Sequence, residues 1–160
     1  MFPTDLEERI RAAEGVLSRL HDWIGRYDNR ASGLIGIDTG MLGVLAIMTR
    51  PTLSDGWLDA ALILSILFIG ISFSLIIVGT YPRMKGPKTS FIFFGRISEM
   101  SEDEFKKSFK KCSEDEYLED LLGQCHINSK ILNVKFKYLR NSLLMIVLAI
   151  IPWSIALYLA

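Results

Sequence analysis

The chain has 160 residues, half of them apolar, and its 18 basic side chains equal its 18 acidic ones in number. Because the formal net charge is zero, the composition gives no basis for predicting a nucleic-acid-binding protein or an enzyme of acidic substrates. The apolar residues are concentrated in three long segments, which indicates an integral membrane protein.

An amphipathic helix is predicted near the N-terminus, at residues 4–32. Thr4 and Glu7 match a capping box, in which a hydroxyl and a carboxylate satisfy the first backbone amides of a helix. No proline follows before Pro51, so we expect this helix to continue into the first membrane span. Its apolar residues alternate spacings of four and three, as in helices that pack against helices; they are Leu6, Ile10, Ala13, Leu17, Leu20, Ile24, Tyr27, Ala31 and Leu34.

The first predicted span, residues 33–49, is short, rich in glycine and interrupted by Asp38. The alternative for this segment is a buried helix of a soluble domain. We favour a membrane span because apolar segments of this kind usually come in sets that bury one another.

Asp38 continues the heptad seam of the N-terminal helix, so its carboxylate is predicted to point into the interior of a bundle. An ionisable group inside a span is costly, and by default it indicates a pathway or a partner. We predict that Asp38, with Thr39, lines or gates a pore. The alternative is a structural role, in which Asp38 is protonated or pairs with Thr39, Ser72 or Ser74 of a neighbouring helix.

Four glycines form a separate face of the same span, at spacings of three, four and three residues; they are Gly33, Gly36, Gly40 and Gly43. Small residues let the backbone of another helix approach closely within a membrane, and Gly36-x-x-x-Gly40 matches the usual motif. This face is therefore predicted to pack closely against a helix. The sequence leaves open whether that helix belongs to the same chain or to another subunit.

The second and third spans are predicted at residues 57–79 and 142–160, and each can cross about 30 Å of hydrocarbon. The second span has one ionisable residue, Asp59, at its very start. The third span has no charged residue. Trp153 and Tyr158 lie near its end, where aromatic rings favour the membrane interface.

Two further capping boxes punctuate residues 80–141. Ser101 with Glu104 predicts a short helix at about 101–111, and Ser113 with Glu116 predicts the start of a long one. The long helix has a heptad seam that continues toward the third span, with Asn128 as one of its packing positions; the seam is Leu118, Leu121, Cys125, Asn128, Leu132, Lys135 and Leu139.

The elements together predict an all-α membrane protein with three transmembrane helices, two of them extended into a cytoplasmic helical bundle with one short extra helix. An aromatic run at residues 91–94 either fills the core of that bundle or inserts at the membrane interface. Pro51 and the Ser54-Asp55-Gly56 cluster predict a short turn between the first two spans.

The distribution of basic residues predicts the orientation. Five Lys or Arg residues precede Gly33 and twelve lie between Gly79 and Ser142, whereas the loop between the first two spans has only Arg50. By the positive-inside rule, the N-terminus and residues 80–141 are cytoplasmic and the C-terminus is periplasmic. The first 30 residues are charged throughout, so no cleavable signal peptide is predicted.

A cluster of lysines on the short helix is a candidate anion site. Such a cluster indicates either a solvated face near anionic lipid headgroups or a binding site for a nucleotide signal. The candidates for contacting the phosphates of a signal are Lys106, Lys107, Lys110 and Lys111, with Arg83, Lys85 and Lys88.

Catalytic and metal motifs are not apparent. His21 and His126 are isolated from other metal-ligating residues, and no phosphate-binding loop or activated nucleophile is recognisable. Cys112 and Cys125 fall in the segment predicted to be cytoplasmic, where a structural disulfide is not expected. We therefore expect neither a cofactor nor a metal, and no enzymatic activity.

Five short motifs resemble a known family; they are Asp28-x-Arg30-Ala31-Ser32, Phe93-Phe94-Gly95-x-Ile97, Tyr117-Leu118-x-Asp120-Leu121, Asn128-Ser129-x-Ile131 and Lys135-x-x-Tyr138-Leu139-Arg140. Together, over about residues 20–160, they resemble the transmembrane domain of the Pycsar effector family of bacterial antiphage defence. The resemblance implies one membrane effector domain over residues 1–160 in the bacterial inner membrane. It also implies that a nucleotide messenger, made by a partner nucleotidyltransferase or cyclase, triggers membrane permeabilisation and growth arrest.

The identity of the messenger stays open at this point, because no separate sensor domain and no β-rich cyclic-nucleotide-binding module is predicted. The chain is also similar to the short channel-like subunits of nucleotidyltransferase-linked systems such as Hailong. That similarity implies an oligonucleotide messenger and an oligomeric channel.

The leading functional prediction is a homo-oligomeric, nucleotide-gated and ion-permeable pore. Three helices cannot enclose a water path alone, so several copies are required, and a tetramer is the expected size. The expected partners are other copies of the chain, the nucleotide signal and membrane lipids. The alternative function is a non-conducting membrane anchor or scaffold whose cytoplasmic bundle recruits a partner protein.

Overall fold

A computed structural model of the chain describes residues 5–48, 56–81 and 90–159. These residues form five helices and no strand: α1 (Leu6–Met48), α2 (Gly56–Thr80), α3 (Phe94–Ile97), α4 (Glu102–Lys111) and α5 (Glu114–Leu159). Among them, α1, α2 and α5 are long and apolar enough to cross a membrane. The predicted all-α membrane fold is confirmed, and the four-residue helix α3 is an addition to it.

The two long helices are continuous, as the absence of early prolines predicts for α1. α1 has 43 residues and α5 has 46. At 1.5 Å per residue each is roughly 65–70 Å long, about twice the thickness of the hydrocarbon core of a bilayer. Both helices must therefore extend beyond the membrane. The Thr4 cap and the turn at residues 51–55 lie outside the described residues.

Capping boxes start α4 and α5 at the predicted positions. At Ser101, the backbone N–H donates to Glu104 Oε2 at 2.9 Å, and the hydroxyl accepts from the Glu104 N–H at 3.3 Å. The same two bonds join Ser113 and Glu116, at 2.9 and 3.3 Å. Two backbone amides are satisfied at each start, which fixes where α4 and α5 begin.

The chain divides into two compact units. Of the described residues, the spanning unit comprises 26–48, 56–81 and 134–159, and the head unit comprises 5–25 and 90–133. α1 and α5 contribute to both units. α2 belongs to the spanning unit, and α3 and α4 belong to the head unit.

The spanning unit buries one stripe of each of its three helices. The buried positions of α2 follow the heptad spacing of closely packed helices, at Leu58, Leu62, Ser65, Ile69, Ser72, Ile76 and Gly79. Two apolar clusters form the core. The first cluster includes Leu45, Ile69 and Ala149. The second cluster consists of Tyr27, Ala31, Ile76 and Leu139.

Trp153, in the third span, also contacts this core. Its ring packs against the cluster of Leu45, Ile69 and Ala149, and its Nε1–H donates to the Met41 carbonyl at 3.4 Å. Trp153 therefore contributes to helix packing in addition to any interfacial role. Tyr158, at 89% exposure, is free of such packing.

The head unit has a smaller core, formed by Ala13, Leu17 and Leu121. Ile92 and Tyr117 pack against it, so the residue of the run that contacts this cluster is the aliphatic one. Phe94 is 61% exposed and its ring lies 5.0 Å from that of Phe93.

Candidate functional site

A buried polar layer joins the three helices of the spanning unit. Asp38 of α1, Ser72 of α2 and Ser142 of α5 are each 0% exposed. The Ser72 hydroxyl donates to Asp38 Oδ2 at 2.8 Å, and the Ser72 and Ser142 hydroxyl oxygens are 2.9 Å apart. We call these three residues the polar layer.

The polar layer lies between the two apolar clusters. Along α1, Leu34 and Ile35 pack against one cluster and Met41 and Leu42 against the other, with Asp38 between them. A carboxylate in such surroundings is costly unless hydrogen bonds compensate for its lost hydration. Asp38 Oδ1 has no hydrogen-bond partner among the described residues. The layer therefore retains an acceptor for a water molecule, a proton or a cation.

The structure distinguishes among the three partners predicted for Asp38. Ser72 is the hydrogen-bond donor. Ser74 is exposed, and its hydroxyl donates to the Gly70 carbonyl of its own helix at 2.8 Å. Thr39 is also exposed. Asp38 thus points into the bundle, as its heptad position predicts, while its role in a pore stays a prediction.

The glycine face of α1 lies open. Gly33, Gly36, Gly40 and Gly43 are exposed, and a Cβ atom built at any of them has no neighbour within 4 Å. The described residues of this chain therefore do not supply the closely packed helix that was predicted. On a helix these glycines lie opposite Asp38, so the open face and the polar layer are on different sides of α1.

A second cluster of interactions near Tyr27 was missed at the level of sequence. Lys135 Nζ lies 2.9 Å from Asp28 Oδ1 and 4.5 Å from the centroid of the Tyr27 ring. The Tyr27 ring is fully buried and meets Phe136 edge to face. Asp28 and Lys135 occur in the motifs that resemble the family, but their pairing across 107 residues has no signature in the sequence.

Gly79 belongs to the same cluster. A Cβ atom at this position would lie 2.8 Å from the Tyr138 Cβ and 2.5 Å from the Tyr27 hydroxyl. The missing side chain therefore allows α2 to approach the other two helices closely. The sequence predicts only that Gly79 ends the second span. Its heptad spacing from Ser72 could also have indicated that it is buried against another helix.

In the head unit, Ser90 and Asp120 fix the loop that precedes α3. The Ser90 hydroxyl donates to Asp120 Oδ2 at 3.0 Å and accepts from Gln124 Nε2 at 3.0 Å. It also accepts from the Phe93 N–H at 2.9 Å, and the Phe91 N–H donates to Asp120 Oδ2 at 2.6 Å. These bonds hold the backbone of the loop against α5. Asp120 is part of one family-like motif, but Ser90 carried no signal in the sequence.

The four lysines of α4 are all exposed and lie within an arc of roughly 140°. Lys106 forms an ion pair with Glu102, one turn earlier. Phe105 and Phe109 occupy another side of α4, with ring centroids 5.9 Å apart. Arg83, Lys85 and Lys88, the other predicted signal ligands, lie outside the described residues.

Within the described residues, no group of three or more His, Cys, Asp or Glu side chains is arranged to hold a metal ion. Both cysteines are free thiols. Cys125 packs in the head unit, with its sulfur 3.6 Å from the Ala13 carbonyl oxygen, and burial raises the pKa of its thiol. Asn128 is half-buried on α5.

Comparison with known proteins gives two matches and one negative result. A family model described as the Pycsar effector protein domain matches residues 12–160. The chain is 28% identical over 151 residues to the Pycsar effector protein GmPycTM of Gulbenkiania mobilis, a match that covers 76% of this chain and 77% of that protein. No solved structure matches the chain.

Proposed function

Because the chain belongs to the Pycsar effector protein domain family, we propose that it is an oligomeric inner-membrane effector of antiphage defence that forms a nucleotide-gated pore. In this proposal a nucleotide signal opens an ion-permeable path, the membrane depolarises, and growth arrest or abortive infection follows. The observation that carries the proposal is the polar layer of Asp38, Ser72 and Ser142 inside the spanning unit.

The polar layer supports a path for ions because its residue types are poor choices for stability alone. Three apolar side chains would pack in the same space without the cost of removing a carboxylate from water. Ionisable groups inside membrane spans usually serve ion or proton pathways. The acceptor left open at Asp38 Oδ1 gives a passing cation or water molecule a ligand.

The oligomer is supported by two open faces of the spanning unit. The first is the glycine face of α1, and the second is the outer face of α2, where a groove runs past Gly70 and Ser74 between larger apolar side chains. Within a bilayer, close packing of such faces is a main source of helix association. Two separate faces let each copy contact two neighbours, which suits a ring; we propose a tetramer.

The closed state has Asp38 turned away from the open side of α1. Its carboxylate faces α2 and α5 of the same chain, where Ser72 holds it. Opening therefore requires α1 to move or rotate against the other two helices so that Asp38, with Thr39 beside it, reaches a water path. The protein therefore does not conduct at rest and needs a signal to break the packing within each chain.

The signal is proposed to act in the cytoplasm. The distribution of Lys and Arg supports a cytoplasmic N-terminus and head unit and a periplasmic C-terminus. The exposed lysines of α4 provide positive charge for phosphates, and Arg83, Lys85 and Lys88 would add to it. Anionic lipid headgroups are proposed to compete for the same lysines.

Ion flux in proteoliposomes tests the pore. The purified chain is reconstituted, a cyclic mononucleotide or a short oligoadenylate is added, and release of trapped potassium is followed. We expect signal-dependent release from the parent and altered release from Ser72→Ala. Thr80→Ala is the matched control, because Thr80 is an exposed hydroxyl residue on the same helix and does not line the α2 groove. A parent that stays impermeable with every nucleotide would contradict the pore.

Mass in mild detergent tests the assembly separately. Replacing Gly36 and Gly40 together with leucine should reduce the mass of the particle, because the open face can no longer approach a neighbour closely. Gly25→Leu is the control, because a Cβ there also meets nothing and the position lies outside the spanning unit. A parent that is strictly monomeric would rule out the oligomeric pore.

The scaffold function keeps one observation in its favour. The head unit exposes apolar side chains that its own core does not use, including Val16 at 40% and Leu122 at 48%. Such residues suit contact with a partner protein. Depolarisation of cells by this chain in the absence of any partner protein would argue against a scaffold.

A further inference from the structure

A groove lies in the head unit where α4 ends and α5 begins. It has a volume of about 210 Å³ and is lined by Phe109, Cys112, Ser113, Glu114 and Tyr117. Phe109 is 56% exposed and is not part of the apolar cluster of the head unit, so the core does not account for it. An exposed aromatic ring beside a groove indicates a surface that binds something flat and partly apolar.

The size of the groove limits what it can hold. Sites for whole small molecules usually begin at roughly 300 Å³, and this groove is smaller. It therefore has room for one planar ring system, with the rest of a ligand outside. Nucleobases fit this description, because they stack on aromatic side chains. Phe109 and Tyr117 both offer a ring.

The charges around the groove determine which way a nucleotide would lie in it. The Glu114 carboxylate accepts hydrogen bonds, so it suits the exocyclic amino group of a base. It also repels a phosphate, as do Asp115 and Glu116 beside it. The phosphate of a ligand must therefore point toward α4.

The helical positions of the lysines select one of them as the phosphate ligand. Lys106 and Lys110 lie roughly 60° and 100° from Phe109 around α4, whereas Lys107 and Lys111 lie about 160° away. Lys106 is already paired with Glu102. Lys110 is therefore the lysine best placed to meet a phosphate of a ligand whose base lies against Phe109.

We infer that this groove is the base-binding subsite for the nucleotide signal, with Phe109 stacking on the base, Glu114 accepting from its amino group and Lys110 contacting its phosphate. The inference rests on the proposed nucleotide-gated function and adds the site and the base preference. Cyclic nucleotides of cytosine or adenine should bind more tightly than that of uracil, which has no amino group to donate to Glu114.

Affinity measurements on the full chain in lipid-free detergent test the inference. The probes are cyclic CMP, cyclic AMP, cyclic UMP, a short oligoadenylate and inorganic phosphate. Phe109→Leu should weaken binding roughly 5- to 150-fold, the range expected when base stacking on one aromatic ring is lost. Lys110→Ala should weaken binding and lower its salt dependence by about one ion. Lys130→Ala is the matched control and should bind like the parent, because Lys130 is an exposed lysine of the head unit that is not among the proposed phosphate ligands.

Labelling of the two thiols gives an independent readout. Cys112 lines the groove, whereas Cys125 packs against Ala13. Burial raises the pKa of both thiols, so maleimide labelling is best followed above neutral pH, where more thiolate is present. Saturating cyclic CMP should slow the labelling of Cys112 and leave that of Cys125 unchanged.

The outcomes separate this inference from the proposed function. If Phe109→Leu binds nucleotide with the affinity of the parent and nucleotide does not slow the labelling of Cys112, the inference is overturned and nucleotide gating is left intact. Equal binding of inorganic phosphate, or competition by phosphatidylglycerol micelles alone, would reduce the site to a general phosphate or lipid contact and also overturn it. Failure of every nucleotide to bind the parent would overturn the inference together with nucleotide gating.

Discussion

Lys135 Nζ lies 2.9 Å from Asp28 Oδ1 and stands over the ring of Tyr27. The Lys135 side chain is only 11% exposed and that of Asp28 is 48% exposed. The lysine is therefore largely removed from water, and both the carboxylate and the aromatic ring compensate for its lost hydration. This contact joins α1 and α5 within the spanning unit.

Replacing Lys135 should destabilise the spanning unit. Lys135→Met keeps the aliphatic stem and removes both the ion pair and the cation–π contact, which together contribute about 1–2 kcal/mol. The free energy of unfolding in mixed micelles measures the loss. Lys137→Met is the matched control, because Lys137 is exposed on the same helix. Equal stability of the two variants would show that the contact stabilises nothing.

Gly79→Ala should be more damaging than its size suggests. The new Cβ would lie 2.8 Å from the Tyr138 Cβ, which is close to the backbone and cannot swing away. Helices α2 and α5 must then separate, at a cost of roughly 1–3 kcal/mol. The same unfolding measurement applies.

Gly25→Ala in the interior of α1 is the control, because a Cβ there meets nothing within 4 Å and Gly25 lies outside the spanning unit. Alanine is the better helix former by about 1 kcal/mol, so this variant should be neutral or slightly stabilising. Two variants of equal stability would mean that α2 does not need its close approach at Gly79.

The sequence predicts the periodic features of this fold but not its long-range contacts. Periodic features, such as the buried stripes of α1 and α5 and the capping boxes at Ser101 and Ser113, follow from local rules and were found. Asp28 and Lys135 are 107 residues apart, and a contact of that kind depends on how two helices are rotated against each other. The loop anchored by Ser90 has no period at all, so its bonds to Asp120 could not be predicted.

The candidate site divides in the same way. The heptad position of Asp38 predicted that the carboxylate would face the bundle, and its burial follows that prediction. The choice of Ser72 over Ser74 depends on which side of α2 faces α1. Both serines are surrounded by apolar residues in the sequence. The periodicity of α2 alone therefore could not show which of them faces Asp38 on α1.

The start of α4 should be sensitive to acid. Hydrogen bonds from the Ser101 backbone and hydroxyl hold the pKa of Glu104 below its ordinary value. The pKa of Glu104 is thus lower in the folded protein than in the unfolded chain. The cap therefore stabilises the helix fully above the ordinary pKa of Glu104, and this stabilisation is lost as the pH falls through the lower, folded-state pKa. Amide hydrogen exchange at Phe105 should therefore accelerate, after correction for intrinsic rates, below about pH 4.

Glu104→Gln removes this titration, so exchange in that variant should lose its acid dependence. Asp103→Asn is the matched control, because Asp103 lies in the same first turn and is not the residue that closes the capping box. An acid response that survives in Glu104→Gln would assign the titration to another carboxylate of the turn.

The last prediction concerns Asp38, where function should change far more than stability. Asp38→Leu removes the cost of keeping a carboxylate out of water, and the larger leucine side chain offsets that gain by overpacking the site, at a cost of roughly 1–3 kcal/mol. Ser72 keeps a partner after this change, because its hydroxyl also bonds to Ser142. The resting bundle should therefore tolerate the substitution.

Permeation should not tolerate it. A ring of leucines where carboxylates would meet ions can close a path by excluding water, so Asp38→Leu should lose nucleotide-triggered potassium release and toxicity in cells. Asp38→Asn keeps the shape and can accept the bond from Ser72, so it should assemble normally while changing conductance or cation preference. A variant with leucine that is as stable as expected and still conducts and kills like the parent would show that Asp38 only pairs with Ser72 within the bundle, and the pore-lining role would then pass to another residue.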